Sequence, residues 1–168
     1  MAERPIVIYG DPVLREVSEP VDEINQETKD LVSDLIGTLK KASGLGLAAP
    51  QIAVLKRVFV VDLSAIDITA TLKVFINPEI LDTSGEAEFE EGCLSFPGIY
   101  QKIIRPARAR VRATDRDGKQ FEMEATGMAA RAILHEYDHL EGKLFIDHMS
   151  PMTRTMLKGR LKKLSMAS

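Results

Sequence analysis

Cysteine is almost absent from the 168-residue sequence: Cys93 stands alone, so an internal disulfide bond is excluded. Tryptophan is missing altogether, and no apolar run approaches the roughly 20 residues that a membrane-spanning helix needs. Residues 1–5 lack the apolar stretch of a secretory signal peptide. We therefore expect a cytoplasmic protein in a reducing environment, with no membrane partner, in which Cys93 is either a thiol or a metal ligand.

An excess of charge of one sign is also lacking, because 22 lysines and arginines stand against 25 aspartates and glutamates, for a net charge of −3. This balance gives no global electrostatic reason to expect binding to nucleic acid or to an anionic membrane. Internal repeats, low-complexity segments and linkers rich in proline, glycine or serine are absent as well. The sequence therefore predicts one domain over residues 1–168, long enough to bury a hydrophobic core.

The spacing of apolar residues predicts the secondary structure. Helices are expected at residues 25–42, 127–140 and 151–164, and strands at 6–9, 57–63, 73–76, 108–114 and 120–125. The helix at 127–140 is apolar or small on most sides, which is typical of a helix that runs through the core. Since strands and helices do not alternate regularly, we predict an α+β fold: mixed or antiparallel sheets packed around this central helix, with an N-terminal and a C-terminal helix.

The central helix carries the pattern H-E-x-x-H as His135-Glu136-Tyr137-Asp138-His139. Residues four apart on a helix point the same way, so His135 and His139 can bind one metal ion. Glu136, beside the first histidine, can then take a proton from a metal-bound water. The pattern also occurs by chance in core helices, but two histidines and a glutamate without partners would be costly to bury in an apolar helix. Metal binding is therefore the favoured interpretation.

A metal ion bound by two histidines needs a third protein ligand, and the sequence after His139 contains few candidates for it. A metzincin would have a histidine where this chain has Phe145, and a thermolysin-like enzyme would use a later glutamate, but none follows Glu141. Asp147 and His148 are too close to the helix to return easily to its metal-binding face. Cys93, upstream, would complete a Cys-His-His set with one tetrahedral position open for water. Taken alone, however, Cys93 is better interpreted as a small buried hydrophobe, the commonest fate of a free cysteine.

Three segments together resemble, in order and spacing, the three motifs of peptide deformylases. They are Gly-Leu-Gly-Leu-Ala-Ala-Pro-Gln at 44–51, Glu-Gly-Cys-Leu-Ser at 91–95 and His-Glu-Tyr-Asp-His at 135–139. The resemblance extends through residues 10–15 and 141–145 and so covers most of the chain. Residues 96–98 and the compact length are similar to the bacterial and organellar type, while Arg131 and Leu134 differ from some members.

The resemblance implies a metallo-hydrolase that removes the formyl group from the N-terminal formyl-methionine of nascent polypeptides and releases formate. It implies Cys93, His135 and His139 as metal ligands and Fe²⁺ as the ion in the cell, although Zn²⁺, Co²⁺ and Ni²⁺ also accept imidazole and thiolate. Three further residues are implied to act on the substrate: Glu136 as acid–base, with the Gln51 side chain and the Leu94 backbone N–H stabilising the developing oxyanion.

An apolar slot for methionine is expected next to the metal. Met128 and Ala132 lie seven and three residues before His135 and hence on its helix face, and Leu45 and Phe89 from the other motifs could join them. Ordinary core packing is an equal interpretation for each of these residues. The backbone of Gly46 is expected to pair with the extended nascent chain, as an added β-strand does.

Two further expectations concern charge. Glu91 is expected to pair with Arg105 and so to fix the strand that presents Cys93. In the C-terminal helix, Leu157, Leu161 and Leu164 are expected to dock on the domain, while the remaining face is basic. By resemblance, that face could dock on the ribosome near the exit tunnel; it could equally be a solvated surface.

Two competing functions use the same residues. A zinc endopeptidase would need a third histidine or a downstream glutamate, which the sequence lacks. A structural metal site in a binding module would normally close its shell with a fourth protein ligand, and no second cysteine exists to provide one. Glu136 and Gln51 would also have no purpose in such a site.

Overall fold

The computed structural model describes residues 3–167, which form three α-helices and seven β-strands. The helices are α1 (Gln26–Ala42), α2 (Gly127–Leu140) and α3 (Pro151–Ala167). The strands are β1 (Gly46–Ala48), β2 (Val58–Val61), β3 (Lys73–Ser84), β4 (Ala87–Gly92), β5 (Tyr100–Arg105), β6 (Arg108–Thr114) and β7 (Gln120–Thr126). Short 3-10 helices lie at Pro12–Arg15, Ala49–Ile52 and Phe145–His148. The predicted α+β class is confirmed.

The strands form two antiparallel sheets. Five of them make one sheet in the order β1-β2-β3-β6-β7, so β1 is an edge strand. β4 and β5 make a separate two-stranded sheet, the β4–β5 hairpin. The strands predicted at 108–114 and 120–125 pair as β6 and β7, and the Asp115 carboxylate closes the turn between them by accepting from the backbone N–H groups of Asp117 (2.9 Å) and Lys119 (3.0 Å).

Two strand predictions need correction, and some strands were not predicted. Residues 6–9 are not a strand, because Val7 and Tyr9 donate to isolated acceptors, the carbonyls of Gln51 and Ser95, rather than to a neighbouring ladder. β3 does not end before Pro78: the pairing with β6 shifts register between residues 76 and 79, and this irregularity accommodates a proline that has no N–H to donate. β4 and β5 were not predicted, since the segment at 87–92 is mostly exposed and polar.

Helix α2 runs through the core, as predicted. Its residues Ile133 and Leu140 are almost fully buried and pack in one cluster with Phe59, Phe75 and Val111 of the large sheet. At its C-terminal end, Nη1 of Arg57 donates to the Leu140 carbonyl at 3.2 Å and to the Glu141 carboxylate at 3.0 Å. This arginine complements the negative end of the helix dipole.

Gly142 ends α2 in a left-handed conformation with φ of +71°. A Cβ atom there would lie 2.5 Å from the Arg15 carbonyl oxygen, so only glycine allows this close approach. Gly142 thereby sets the direction in which the chain leaves the helix.

Helix α3 docks on the domain through one apolar face, as predicted, and extends three residues beyond the predicted end. Leu157 and Leu161 are buried and pack with Phe96 and Phe145, close behind Cys93. Among residues 3–167, no helix is long and apolar enough to cross a membrane.

Candidate metal centre and active site

The side chains of Cys93, His135 and His139 converge at one point. One ligand atom from each lies within 4.8 Å of the others, and no other group of three or more His, Cys, Asp or Glu residues within 3–167 is arranged to hold an ion. Sγ of Cys93 is 3.5 Å from Nε2 of His139. Metal–ligand bonds of about 2.3 Å to sulfur and about 2.1 Å to nitrogen, at a tetrahedral angle, place the two atoms about 3.6 Å apart. The donor set therefore fits a divalent metal ion.

The downstream alternatives for a third ligand are engaged elsewhere. Asp147 pairs with Arg15, with an N···O distance of 2.7 Å, and His148 contacts Asp138 at 2.8 Å. Neither belongs to the cluster formed by Cys93 and the two histidines. Of the three candidates, Cys93 is the one that the fold places beside the two histidines.

The two histidines differ in the hydrogen-bond partner of their Nδ1 atom. Nδ1 of His135 meets Oε1 of Glu91 at 2.9 Å, which leaves Nε2 as its metal-facing atom. Nδ1 of His139 is buried and has no hydrogen-bond partner in residues 3–167. Burial lowers the pKa of His139 well below its usual value, so this ring is neutral and ready to be a ligand.

Burial also opposes charge on His135, but its hydrogen bonds with Cys93 and Glu91 outweigh burial and hold its pKa well above the usual value. A histidine must be neutral to bind a metal ion through its ring nitrogen. With Nδ1 engaged by Glu91, protonation and metal binding at Nε2 of His135 are therefore mutually exclusive.

The predicted pairing of Glu91 with Arg105 is confirmed. Nε and Nη2 of Arg105 donate to the two carboxylate oxygens of Glu91 at 2.6 Å and 3.1 Å, and both side chains are buried. Burial alone would raise the pKa of Glu91, but the hydrogen bonds from His135 and Arg105 outweigh burial and lower it to about 2. Glu91 is therefore a buried carboxylate with fixed charge, directly behind a metal ligand.

Three residues of this network were missed in the sequence. Arg131 donates to the Glu91 carboxylate from α2, and Asp138 accepts from Nη1 of Arg105 at 3.0 Å while contacting His148 at 2.8 Å. A signal was available for Arg131: a lone cation in an apolar helix, four residues before His135, must find an anion on that face. His148 gave no such signal, because it lies on a different element.

Glu136 borders the cluster and is 4% exposed. Its Oε1 has no hydrogen-bond partner in residues 3–167, and burial raises the pKa of Glu136 to about 7. A carboxylate tuned in this way can both take and return a proton near neutral pH. Gly46 lies directly against it: a Cβ atom at Gly46 would be 2.7 Å from Oε2 of Glu136.

The side chain of Gln51 is held in one orientation. Its Oε1 accepts from the Ala48 backbone N–H at 3.0 Å, which assigns Nε2 as the opposite atom of the amide. Nε2 donates to Oγ of Ser95 at 3.1 Å and points to Sγ of Cys93 at 3.7 Å. Leu94 follows Cys93, and its backbone N–H makes no hydrogen bond within residues 3–167. Two N–H donors therefore lie beside the metal-binding atoms.

A cavity of about 600 Å³ opens onto these groups. Four of the five predicted pocket residues line it, namely Leu45, Gly46, Met128 and Ala132, together with Gln51, Cys93, Leu94, His135 and Glu136. Phe89 does not line it: its half-exposed ring covers the guanidinium of Arg131, at 5.5 Å from the ring centre, and Arg131 faces the cavity in its place.

Comparison with known proteins gives a consistent result across sequence and structure. A family model described as polypeptide deformylase matches residues 3–155. The peptide deformylase of Mesorhizobium japonicum is 46% identical over 166 residues, covering 98% of this chain and 94% of that protein. Peptide deformylase 1 of Clostridium perfringens is 51% identical over 148 residues, covering 88% and 99%. The crystal structure of peptide deformylase from Thermus thermophilus superposes with a TM-score of 0.92 at 35% identity, covering 99% and 100%.

Proposed function

The chain belongs to the peptide deformylase family, and from this premise we propose which residues carry the reaction. The protein is a metallo-hydrolase that removes the formyl group from the N-terminal formyl-methionine of nascent polypeptides. We take residues 1–168 as one catalytic domain. The convergence of Cys93, His135 and His139, with Glu136 alongside, is the observation that carries the proposal.

Cys93, His135 and His139 would hold one divalent ion. When bound, the ion supplies Lewis-acid polarisation and lowers the pKa of a water molecule from about 16 towards about 7. By family resemblance the ion in the cell is Fe²⁺, while the same Cys-His-His set accepts Zn²⁺, Co²⁺ or Ni²⁺. Glu91 supports the set from behind by orienting the ring of His135.

Glu136 moves the proton. Its buried carboxylate takes the proton of the attacking water and delivers it to the nitrogen of the leaving amine. Oε1 of Glu136 is buried without a hydrogen-bond partner in residues 3–167, and Oε2 lies beside Gly46, so no protein group competes for the proton.

Nε2 of Gln51 and the backbone N–H of Leu94 stabilise the negative charge that develops on the formyl oxygen. Both donors lie beside Cys93, and the Ala48–Gln51 hydrogen bond holds the amide in place before substrate binds. Preorganised donors of this kind need no rearrangement during the reaction.

The methionine side chain occupies the apolar part of the cavity, against Leu45, Met128 and Ala132. Gly46 belongs to β1, an edge strand with one unpaired side, so its backbone can pair with the extended nascent chain. Phe89 lies outside the cavity, so we assign it no contact with the methionine side chain.

The decisive test combines metal content with a pair of substrates. We expect one divalent ion per chain and release of formate from formyl-Met-Ala, with no cleavage of unformylated Met-Ala. Cleavage of the internal peptide bond would instead identify an endopeptidase. A tightly held ion without release of formate would identify a structural metal site.

We also propose that the basic face of α3 docks on the ribosome in the cytoplasm. Arg154, Lys158 and Lys162 recur at four-residue spacing and line a shallow cavity of about 450 Å³ beside Tyr9. Their alignment on one side of a helix, in a protein with a net charge of −3, provides a local positive surface for a polyanion.

Deletion of α3 is a poor test, because Leu157 and Leu161 pack on Phe96 next to Cys93. Triple replacement of Arg154, Lys158 and Lys162 by glutamine removes the charge alone. Co-sedimentation with ribosomes should weaken in this variant and should weaken for the wild type as salt rises. A matched control replaces Lys29, Lys40 and Lys41 of α1 by glutamine; an equal loss in both variants would contradict docking through α3.

A further inference from the structure

The metal-binding residues are divided between two parts of the fold. Cys93 directly follows β4, whereas His135 and His139 lie on α2. The β4–β5 hairpin is separate from the five-stranded sheet on which α2 packs. The position of the thiolate relative to the imidazoles therefore depends on contacts across this division: the apolar cluster behind Cys93, and polar side chains that join the hairpin to the helix.

Arg131 makes this connection from the helix side. It is 3% exposed, and Nη2 donates to the Ala87 carbonyl on β4 at 2.8 Å while Nη1 donates to the Ile103 carbonyl on β5 at 2.9 Å. Nη1 also donates to the carboxylate of Glu91 on β4. One planar guanidinium thus holds both strands of the hairpin and the carboxylate between them.

Glu91 extends this connection to a metal ligand. Its Oε2 accepts from Arg131, and its Oε1 meets Nδ1 of His135 at 2.9 Å. Since Arg131 and His135 are one helical turn apart, both reach the carboxylate from the same face of α2. The Nδ1 contact turns Nε2 of His135 towards Cys93.

Arg131 also contributes positive charge to the cluster. Arg105 contacts the carboxylates of both Glu91 and Asp138, and Arg131 is a second guanidinium in contact with Glu91. The ring of Phe89 covers the guanidinium of Arg131. Removing one member of such a buried set leaves an uncompensated charge.

We propose that Arg131 is a positioning residue of the metal centre: by tying the β4–β5 hairpin to α2, it sets the separation and orientation of the Cys93 thiolate relative to the two imidazoles. It touches no reacting atom. This inference rests on the proposed metal site. The experiment below distinguishes a failure of the role of Arg131 from a failure of the metal site itself.

The test uses Arg131→Met and Arg131→Lys, with Arg57→Met as a matched control. Arg57 is also an arginine bound to α2, but at the end of the helix away from Glu91. Three quantities are measured: the Kd for Co²⁺ by competition with a chelator, the thiolate-to-cobalt and d–d absorption bands, and the Tm of the metal-free protein. None of them needs turnover.

We expect the Kd for Co²⁺ to rise about 100-fold in Arg131→Met and about 10-fold in Arg131→Lys, within the usual range for residues that support metal ligands. Lysine keeps the charge, but its single ammonium cannot span a carboxylate and two carbonyls. Both variants should shift the absorption bands. Arg57→Met should lower Tm but leave the Kd and the bands at wild-type values.

Wild-type affinity and bands in the Arg131 variants would overturn the inference, as would an equal loss of affinity in Arg57→Met. Should Arg131→Met fail to fold, Arg131→Lys decides by the same criteria. A wild-type protein that does not bind one Co²⁺ per chain would overturn the proposed metal site itself.

Discussion

Helix α2 and the β4–β5 hairpin both contribute to the proposed metal centre, but they position their proposed ligands by different means. On α2, His135 and His139 are aligned by the backbone, because residues four apart share a face. In the hairpin, Cys93 is placed through a network in which Arg105, Glu91 and Arg131 join the strands to the helix. Helix geometry thus positions His135 and His139, whereas a network of buried charged side chains positions Cys93.

The largest expected effect comes from removing the hairpin's ligand. Cys93→Ala leaves two imidazoles as the only protein ligands, so metal affinity should fall sharply and formate release should drop to background. Metal content after dialysis and the rate on formyl-Met-Ala measure both effects. Full metal occupancy together with turnover in this variant would place the third ligand elsewhere.

Removing the acid–base group of α2 tests proton transfer separately from metal binding. Glu136→Ala should keep the metal, since all three ligands remain, but should lower kcat by about 10²–10⁴-fold because proton transfer is lost. Metal analysis and kcat on the same preparation test this. Wild-type kcat in a metal-replete sample would refute the assigned role.

A change at the contact between Gly46 of β1 and Glu136 of α2 should lower kcat nearly as much. Gly46→Ala puts a methyl group 2.7 Å from Oε2 of Glu136 and so displaces the carboxylate. A displacement of about 1 Å in a reacting group can cost about 10²-fold in rate, so kcat should fall by that order with metal retained. Gly159→Ala in α3 is the control, because nothing lies within 4 Å of its added Cβ. Equal kcat in both variants would mean that Glu136 adapts freely.

The smallest effect concerns the acid stability of the hairpin network. The pKa of Glu91 is lowered from 4.5 to about 2, so its ionised form stabilises the fold above about pH 4.5, and this contribution is lost as pH falls towards 2. The shift corresponds to about 3 kcal/mol in the free energy of unfolding. Denaturant titrations of the metal-free protein at pH 6 and pH 3 should show a smaller loss for Glu91→Gln than for the wild type. Parallel losses would assign the acid sensitivity to other carboxylates.

The same contrast explains which parts of the site were predictable. The H-E-x-x-H pattern predicted both the helix and the common direction of its histidines, because helical periodicity is local. The hairpin strands were missed, since the segment at 87–92 is mostly polar and exposed, and its buried position holds Glu91 rather than an apolar residue. Phe89 was expected in the cavity, but it packs on Arg131 instead. Arg131 itself had no assigned role.

The sequence by itself determined the α+β class, the central helix, the histidine pair with Glu136 and, through three short motifs, the family. These features depend on periodicity and on residue types at short spacing, which remain visible without coordinates. Only the tertiary structure decided that Arg131 joins the helix to the hairpin and that Phe89 packs on Arg131 outside the cavity. Buried charges must find partners wherever the fold brings them, and those partners are set by long-range packing.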